Sequence, residues 1–407
     1  MLKVISTKQV RLGMFIQELK CPWIDHPFWK EAFKLVDPAD LKKLQNSAVK
    51  EIIIDTSKGL DVEELDVIIA PSLLVETEAP PEIASTKNPI QRPAKISAAA
   101  EHEQAKRVIQ DSKKAVASMF HDVRMGKTVS AETAMLMVDD ITASVDRNLG
   151  ALISLARLKN KDEYTYMHSV AVCALMVALA RELGLSEAET KQAGLAGLLH
   201  DIGKAGIPLD VLNKPGALTE EEFELVKLHP ERGHKLLMQA NITDEVAMDV
   251  CLHHHEKVNG KGYPHKLQAD EISLFAKMGA VCDVYDAITS NRPYKAGWEP
   301  GISMQRMAQW VDHFDDTVFK AFVKSVGIYP IGSMVKLKSG RLAVVVDQSP
   351  KSLLTPLIKV FFSTASKSRI KIEIIDLSAP GEQDSIDGHE NPLAWGIHDI
   401  HDIWSQP

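Results

Sequence analysis

The chain has 407 residues, a formal net charge of -8 and 45% hydrophobic residues. A chain of this length can bury a substantial core and divide into two or three domains. The negative charge argues against a protein that binds nucleic-acid polymers, which would present a basic surface. It does not exclude a small anionic ligand, because a local cationic cluster or a metal can supply the positive field.

Cysteine usage and the apolar segments indicate a cytoplasmic protein with no membrane insertion. The four cysteines are widely spaced and form no CxxC pair, which is typical of buried, reduced thiols; they are Cys21, Cys173, Cys251 and Cys282. No signal peptide is visible after Met1. The longest apolar run, from Val170 to Ala180, is too short to span a bilayer and predicts a buried core helix.

Residues 1–77 are predicted to form a small mixed α/β domain with a possible regulatory role. Apolar residues alternate at Val10, Leu12, Met14 and Ile16, as in a half-buried strand, and 51–55 give a second strand signal. Residues 78–97 mix four prolines with Ala, Ser and Thr, which predicts a linker.

Residues 98–330 are predicted to form a helical lead-in and a helical catalytic domain, so the fold class is mainly α. Apolar residues recur there at helical spacing, and Thr219 through Glu222 form a capping-box pattern that opens one helix. Residues 331–380 return to strand patterning and predict a small β-unit. Residues 381–407 are acidic and weakly periodic, which predicts a loose tail.

The segment His200-Asp201-Ile202-Gly203-Lys204 follows an apolar helix predicted to end at Leu199. Adjacent residues on a helix point about 100° apart, so His200 and Asp201 can approach one centre from two directions. Taken alone, the pair also fits a histidine at a helix C-terminus beside a capping aspartate.

Further histidines stand beside other predicted helices. His168 opens the apolar helix after it, His229 precedes Pro230, and three consecutive histidines precede Glu256; the three are His253, His254 and His255. Neutral imidazoles suit Fe, Mn, Zn and similar ions. Each histidine alone also fits a satisfied core residue or an exposed loop cluster, so the argument depends on their combination.

Two later segments add a turn, two carboxylates and two cations. A glycine-rich turn ends in Gly262-Tyr263-Pro264 and allows a backbone to approach a ligand closely. Asp283 and Asp286 lie one helical turn apart, and Arg292 and Lys295 follow them. Taken alone, this segment also fits a solvated helix face. If they are functional, the cationic side chains of Arg292 and Lys295 are suited to bind phosphate.

Five histidines, two aspartates and no cysteine, spread over the ends of several helices, match a site for two metals that hydrolyses phosphate esters. Two such ions can activate a water and stabilise an in-line displacement at phosphorus. A carboxylate that bridges both ions belongs to this design, and Asp201 is the candidate.

Over about residues 145–330 the sequence resembles the HD-GYP family of HD-domain phosphohydrolases. The matching segments are His200-Asp201 with Gly203-Lys204, 213–216, His229-Pro230, 254–256, 262–264 and 283–295. Residues 1–60 resemble a small domain often attached to such proteins, marked by 11–14 and 23–28. The resemblance implies an all-helical catalytic domain, a pair of Fe or Mn ions, and hydrolysis of cyclic di-GMP to the linear dinucleotide pGpG. It leaves open whether a second cut gives GMP.

The resemblance also implies a role for each site residue. One metal would be held by His168, His200, Asp201 and Asp283, and the other by Asp201, His229, His254 and His255. Catalysis would use Asp201 and Lys204, and substrate would contact Lys204, Gly262, Tyr263, Pro264, Arg292 and Lys295. His253 falls outside the family pattern and is expected to be a supporting or exposed residue.

Two positions depart from the family pattern. Asn259 stands where Asp is usual, which keeps the hydrogen-bonding shape and loses the charge. Members that bind a third metal place a Glu one helical turn before the first histidine. Here that position is Tyr164, which favours two metals.

Two other functions remain open at this stage. The chain could be an interaction module that has kept the fold and lost the chemistry, or an HD phosphohydrolase that acts on another nucleotide. The sequence also leaves open the metal in the cell, the general acid, the signal or protein partner of the N-terminal domain, and the oligomeric state, a homodimer included.

Overall fold

The computed structural model describes residues 2–19, 33–45, 49, 51–60, 94–157, 164–214, 216–290, 297–349 and 351–405. The chain divides into two compact units, Met1–Gln91 and Arg92–Pro407. Most of the predicted linker lies outside the described residues, so that prediction, like the five-part domain division, stays a prediction.

The N-terminal unit is a four-stranded antiparallel sheet with one described helix. Its strands are β1 (Leu2–Ser6), β2 (Phe15–Leu19), β3 (Phe33–Lys34) and β4 (Glu51–Asp55), in the order β1-β4-β2-β3, and its helix is α1 (Pro38–Gln45). The predicted strand at 51–55 is confirmed. Leu12 breaks the predicted alternation and is 36% exposed, because residues 12–13 form a turn before β2. Residues 23–28, which carry part of the resemblance to the attached N-terminal domain, lie outside the described residues.

The second unit begins with helices that are closed by side-chain caps. Ser97, Ser130, Asp244 and Ser273 each accept a backbone N–H of the first turn, which satisfies a donor that the helix leaves unpaired. Thr219 and Glu222 form the predicted capping box. The α-helices that precede the second sheet are α2 (Ala98–Arg124), α3 (Ala131–Ala156), α4 (Tyr164–Glu182), α5 (Glu187–Leu199), α6 (Leu209–Leu212), α7 (Glu220–Lys227), α8 (His229–Gln239), α9 (Glu245–His253), α10 (Leu274–Thr289), α11 (Pro300–Ala308) and α12 (Asp316–Val326).

Helix α4 is the centre of this unit. It packs against α2, α3, α5, α10 and α12, and every residue from Met167 to Ala180 is buried. Among the described helices, α4 alone is long and apolar enough to cross a membrane, and 78% of its apolar window is buried inside the protein. The predicted core helix is therefore confirmed.

A five-stranded antiparallel sheet completes the second unit. Its strands are β5 (Met334–Leu337), β6 (Arg341–Asp347), β7 (Leu357–Ser363), β8 (Ser368–Asp376) and β9 (Ile386–His389), in the order β8-β7-β6-β5-β9. Asp347 at the end of β6 accepts the Ala98 N–H and the Asn148 side-chain amide. Arg157 donates to the Ile331 carbonyl at 2.8 Å. These buried and half-buried contacts join the sheet to α2 and α3.

The prediction of a loose tail at 381–407 is wrong. Residues 386–389 form β9 against β5, and helix α13 (Ile400–Ser405) follows. Ile397, Ile403 and Trp404 are buried in the apolar core of the sheet. Weak periodicity did not reveal them because a few widely spaced anchors, joined by exposed polar residues, are enough to fix this segment.

Trp404→Ala is expected to lower the free energy of unfolding by about 3–5 kcal/mol, because a buried aromatic side chain is replaced by a cavity. Leu393→Ala is the matched control, since Leu393 is 61% exposed in the same segment. Urea unfolding of both variants gives the comparison. Equal, small effects would show that the segment is not part of the folded core.

Candidate metal centre

Seven predicted site residues meet at one place in the helical unit. They come from the start of α4, the turn after α5, the start of α8, the end of α9 and the middle of α10; they are His168, His200, Asp201, His229, His254, His255 and Asp283. All are buried except His255, whose side chain is 21% exposed. The structure therefore brings together every residue that the sequence predicted as a metal ligand.

Three of the histidines are held in one tautomer by backbone carbonyls of α5, α7 and α9. Each directs Nδ1 at a backbone carbonyl three or four residues earlier, at 2.8–2.9 Å; the pairs are His200 with Gly197, His229 with Val226, and His254 with Val250. A carbonyl only accepts, so Nδ1 must carry the proton. The lone pair is then on Nε2, which faces the centre of the cluster.

Asp201 lies between two groups of imidazoles. Its Oδ2 is 3.5 Å from His168 Nε2 and 3.3 Å from His200 Nε2. Its Oδ1 is 3.2 Å from His229 Nε2 and 3.8 Å from His254 Nε2. The two carboxylate oxygens therefore face different pairs of nitrogen lone pairs, as a bridging ligand would.

Asp283 and His255 stand at the margin of these two groups. Asp283 Oδ1 is 2.9 Å from His168 Nε2 and 3.8 Å from His200 Nε2, and its Oδ2 is 3.7 Å from His255 Nδ1. One set of potential ligand atoms lies within 4.8 Å on His168, His200 and Asp283, and another on His229, His254 and His255.

The donor atoms fit metal cations. His229 Nε2 and His254 Nε2 are 3.3 Å apart, and with both Nδ1 atoms protonated the two lone pairs face each other. Among the described residues, His200 Nε2 and Asp201 Oδ1 are buried with no hydrogen bond of acceptable geometry. Buried acceptors that converge without donors are costly, and transition-metal ions would satisfy them.

The protonation states suit metal binding. Burial, together with the neighbouring His255 and His200, holds the pKa of His254 well below its usual value. Burial lowers the pKa of His255 to about 3. Burial opposes ionisation of Asp283, but the nearby imidazoles of His168, His255 and His200 hold its pKa well below the usual value. Neutral imidazoles and an ionised carboxylate are the ligand forms that bind metals.

Asp286 contacts His168 at Nδ1, the ring nitrogen that faces away from the cluster. Its Oδ2 lies 2.6 Å from His168 Nδ1, and its Oδ1 accepts from Ser290 at 3.2 Å. A carboxylate on the outer ring nitrogen fixes the tautomer and raises the basicity of a ligating histidine. Sequence analysis named Asp286 beside Asp283 but assigned it no function. The three-residue spacing, which places both on one helix face, was the available signal.

Lys204 and Gly203 adjoin the cluster through a short 3-10 helix (Ile202–Gly206). Lys204 Nζ donates to Asp201 Oδ2. A Cβ at position 203 would lie 1.9 Å from the carbonyl oxygen of His229, so only glycine allows this helix to approach the start of α8. Gly203 thus sets the distance between Asp201 and His229.

Glu256 fixes the loop that carries Tyr263. Its carboxylate accepts the backbone N–H groups of His265, Lys266 and Leu267 at 2.7–3.1 Å. A Cβ on Gly262 would lie 2.4 Å from Glu256 Cα, which explains the glycine before Tyr263. The Tyr263 ring stacks on His255 with centroids 4.6 Å apart. Pro264 follows in a cis peptide bond.

The remaining predicted residues divide into described and undescribed ones. Arg292 and Lys295 lie outside the described residues, so their placement stays a prediction. Tyr164 stacks on His168 with centroids 6.0 Å apart. Asn259 keeps the hydrogen-bonding role expected of it, because its side-chain oxygen accepts the Lys261 N–H at 3.0 Å.

A helical core that carries this histidine and aspartate cluster defines the class of HD-domain metallohydrolases. Residues 150–318 match the family described as HD domain, and residues 2–134 match the family described as Domain of unknown function (DUF3391).

Curated relatives narrow the class. Cyclic di-GMP phosphodiesterase PA4108 of Pseudomonas aeruginosa is 52% identical over 407 residues, covering 100% of this chain and 96% of that protein. The response regulator RpfG of Xanthomonas campestris, also a cyclic di-GMP phosphodiesterase, is 46% identical over 30% of this chain and 32% of its own. 3'3'-cGAMP-specific phosphodiesterase 1 of Vibrio cholerae is 35% identical over 51% of this chain and 44% of its own. The chain belongs to the HD-GYP family of phosphodiesterases.

Asp286→Ala is expected to lower the affinity of the site for Mn²⁺ by about ten- to a hundredfold, because His168 loses the group that orients it. Asp286→Asn should recover part of the loss, since an amide oxygen still accepts from Nδ1. Titration of the metal-free protein with Mn²⁺ measures both effects. Ser290→Ala, which removes only the contact to the other Asp286 oxygen, is the control. An unchanged affinity in Asp286→Ala would contradict this role.

Proposed function

We propose that this chain is a phosphodiesterase that uses two metal ions to open cyclic di-GMP to the linear dinucleotide pGpG, with a second cut to GMP. Metal-dependent hydrolysis of cyclic di-GMP agrees with the cyclic di-GMP phosphodiesterase that is 52% identical to this chain over 96% of its own length. The observation that carries the proposal is the position of Asp201, whose two oxygens face separate groups of imidazoles.

The proposed ligand sets follow the two groups. His168, His200, Asp201 and Asp283 would hold one ion, and Asp201, His229, His254 and His255 the other. Histidine and carboxylate donors suit Fe and Mn, which we propose as the cofactors. Such a pair supplies Lewis acidity, which favours deprotonation of a water and neutralises charge on the phosphate.

Lys204 is proposed to act on the substrate. Its ammonium group now neutralises Asp201 Oδ2, and an ion on that oxygen would free the lysine to contact the scissile phosphate. Its side chain is 21% exposed, so it can reach a substrate at the surface of the cluster. In the reaction, water adds to phosphorus and the bond to the 3′-oxygen breaks. The leaving oxygen then takes up a proton.

The loop 259–268 and the segment after α10 are proposed to bind the rest of the dinucleotide. Tyr263 stands next to His255 at the exposed side of the cluster, where its ring can contact a guanine or ribose, and Gly262 and Pro264 shape the same loop. Arg292 and Lys295, which follow α10 in sequence, are proposed to hold phosphate oxygens.

The wider setting is proposed as follows. The buried, free thiols of Cys173, Cys251 and Cys282 are typical of a reducing compartment, which supports a cytoplasmic protein.

The N-terminal unit is proposed to receive a protein or ligand signal. A homodimer is proposed as the assembly, supported by Ile372 and Ile374, which are more than half exposed on the edge strand β8.

Asp201→Ala is expected to abolish hydrolysis of cyclic di-GMP and to lower metal content, because one residue serves both ions. Asp201→Asn keeps the shape of the side chain and should retain the fold while losing most activity. The measurement is chromatographic separation of pGpG and GMP after incubation with Mn- or Fe-loaded protein. Cyclic GMP-AMP serves as a competing substrate, because a relative is specific for it.

Asp139→Asn is the matched control for Asp201. It removes a carboxylate that is 47% exposed and pairs with Lys191 at the surface. Near-normal turnover in Asp201→Asn at full metal content would contradict the bridging role. Faster turnover of cyclic GMP-AMP than of cyclic di-GMP would assign a different substrate to the same site.

Arg292→Ala is expected to leave metal content unchanged and to reduce cyclic di-GMP turnover about ten- to a hundredfold. A charge-assisted hydrogen bond of this kind is worth about 1.5–3 kcal/mol. Arg292→Lys should recover only part, because the two-pronged contact is lost. A nitrophenyl phosphodiester lacks the second phosphate and should suffer less. Arg369→Ala, far along the chain in β8, is the control; equal losses on both substrates would refute direct phosphate binding.

A further inference from the structure

The first of the three consecutive histidines belongs to a different cluster from the other two. His253 is the last residue of α9, and its side chain is 16% exposed. It lines an open groove between α8 and α9 together with His234 and Asp249. None of these three residues has a role in the proposed hydrolysis.

The tautomer of His253 is fixed by a carboxylate. Asp249 Oδ1 lies 2.7 Å from His253 Nδ1, and Asp249 Oδ2 accepts from the Ser273 hydroxyl. An ionised carboxylate only accepts, so Nδ1 carries the proton and Nε2 carries a lone pair. This is the arrangement that prepares a histidine to ligate a metal through Nε2.

That lone pair faces a second histidine. His265 Nδ1 is 3.0 Å from His253 Nε2, and the ring centroids are 5.2 Å apart. The backbone of His265 is fixed, because its N–H donates to Glu256 at 2.7 Å, while its side chain is exposed. His253 Nε2 is therefore held in place by Asp249, and its partner nitrogen lies on an exposed ring.

We propose that His253 Nε2 and His265 Nδ1 form a second, outer binding site for a divalent transition metal such as Zn²⁺. Two nitrogens on one tetrahedral zinc ion lie about 3.3 Å apart, given Zn–N distances of roughly 2.0–2.1 Å. The observed separation of 3.0 Å is close to that distance. His234, in the same groove, and water are the candidates for the remaining positions.

The position of this site gives it a structural consequence. His253 comes directly before His254 and His255 at the end of α9. His265 stands two residues after Tyr263 in the loop 259–268. An ion held by both would join the end of α9 to the loop that shapes the proposed substrate pocket. The outer site itself does not depend on the proposed hydrolysis.

The test compares zinc binding between variants of the full chain, so that binding at the inner cluster cancels. Equilibrium dialysis with Zn²⁺, followed by metal analysis, should give one more ion per chain in the wild type than in His265→Ala or His253→Ala. Zinc affinity for that last ion should fall at least tenfold. His121→Ala, which removes an exposed histidine on α2, should match the wild type.

Two outcomes would overturn the proposal. Equal zinc stoichiometry and affinity in wild type and His265→Ala would show that the 3.0 Å contact is only a hydrogen bond between two imidazoles. A loss of one ion in His121→Ala as well would show non-specific surface binding. His265→Gln keeps a polar side chain of similar reach and guards against a folding defect, since it should lose the ion while its circular dichroism matches the wild type.

Discussion

The structure is organised around one buried carboxylate. Asp201 is fully buried, and taking a charged group out of water costs several kcal/mol unless partners compensate. Burial opposes its ionisation, but Lys204 and the facing imidazoles hold its pKa well below the usual value. The carboxylate is therefore charged and fixed at the meeting point of α4, α5, α8 and α9. Cations on both oxygens would complete the compensation that one lysine begins.

Rigid supports around Asp201 keep its partners in place. Three histidines are oriented by backbone carbonyls of α5, α7 and α9, and His168 is oriented by Asp286. These supports belong to secondary structure, so the ligands do not need a metal to adopt their tautomers. Preorganised ligands of this kind lose little conformational entropy on binding. The same reasoning explains why α4 is buried from Met167 to Ala180, since its packing fixes His168.

Sequence patterns were sufficient to name the histidines and aspartates that cluster and to predict the helical class. They were insufficient for contacts between distant segments. The His200-Asp201 pair and the later histidines were visible because metal ligands use few residue types. The Glu256 contacts with the following loop depend on how a turn folds back, which periodicity does not encode. The prediction of a loose tail was wrong for a similar reason, since Trp404 is buried in the sheet core through tertiary packing. Asp286 was within reach of the sequence, but its partner lies more than a hundred residues earlier.

The three consecutive histidines at the end of α9 face two different sites, the inner histidine–aspartate cluster and the outer groove. Successive residues on a helix turn by about 100°, so neighbours in sequence cannot all face one centre. His254, at the C-cap of α9, points inward and donates to Val250. His255, one step further, leaves the helix and stacks on Tyr263. His253 points to the groove, where Asp249 has fixed its tautomer in the same way that Asp286 fixes that of His168. The repeated carboxylate–histidine arrangement is the physical reason to treat the outer histidine as a metal ligand in its own right.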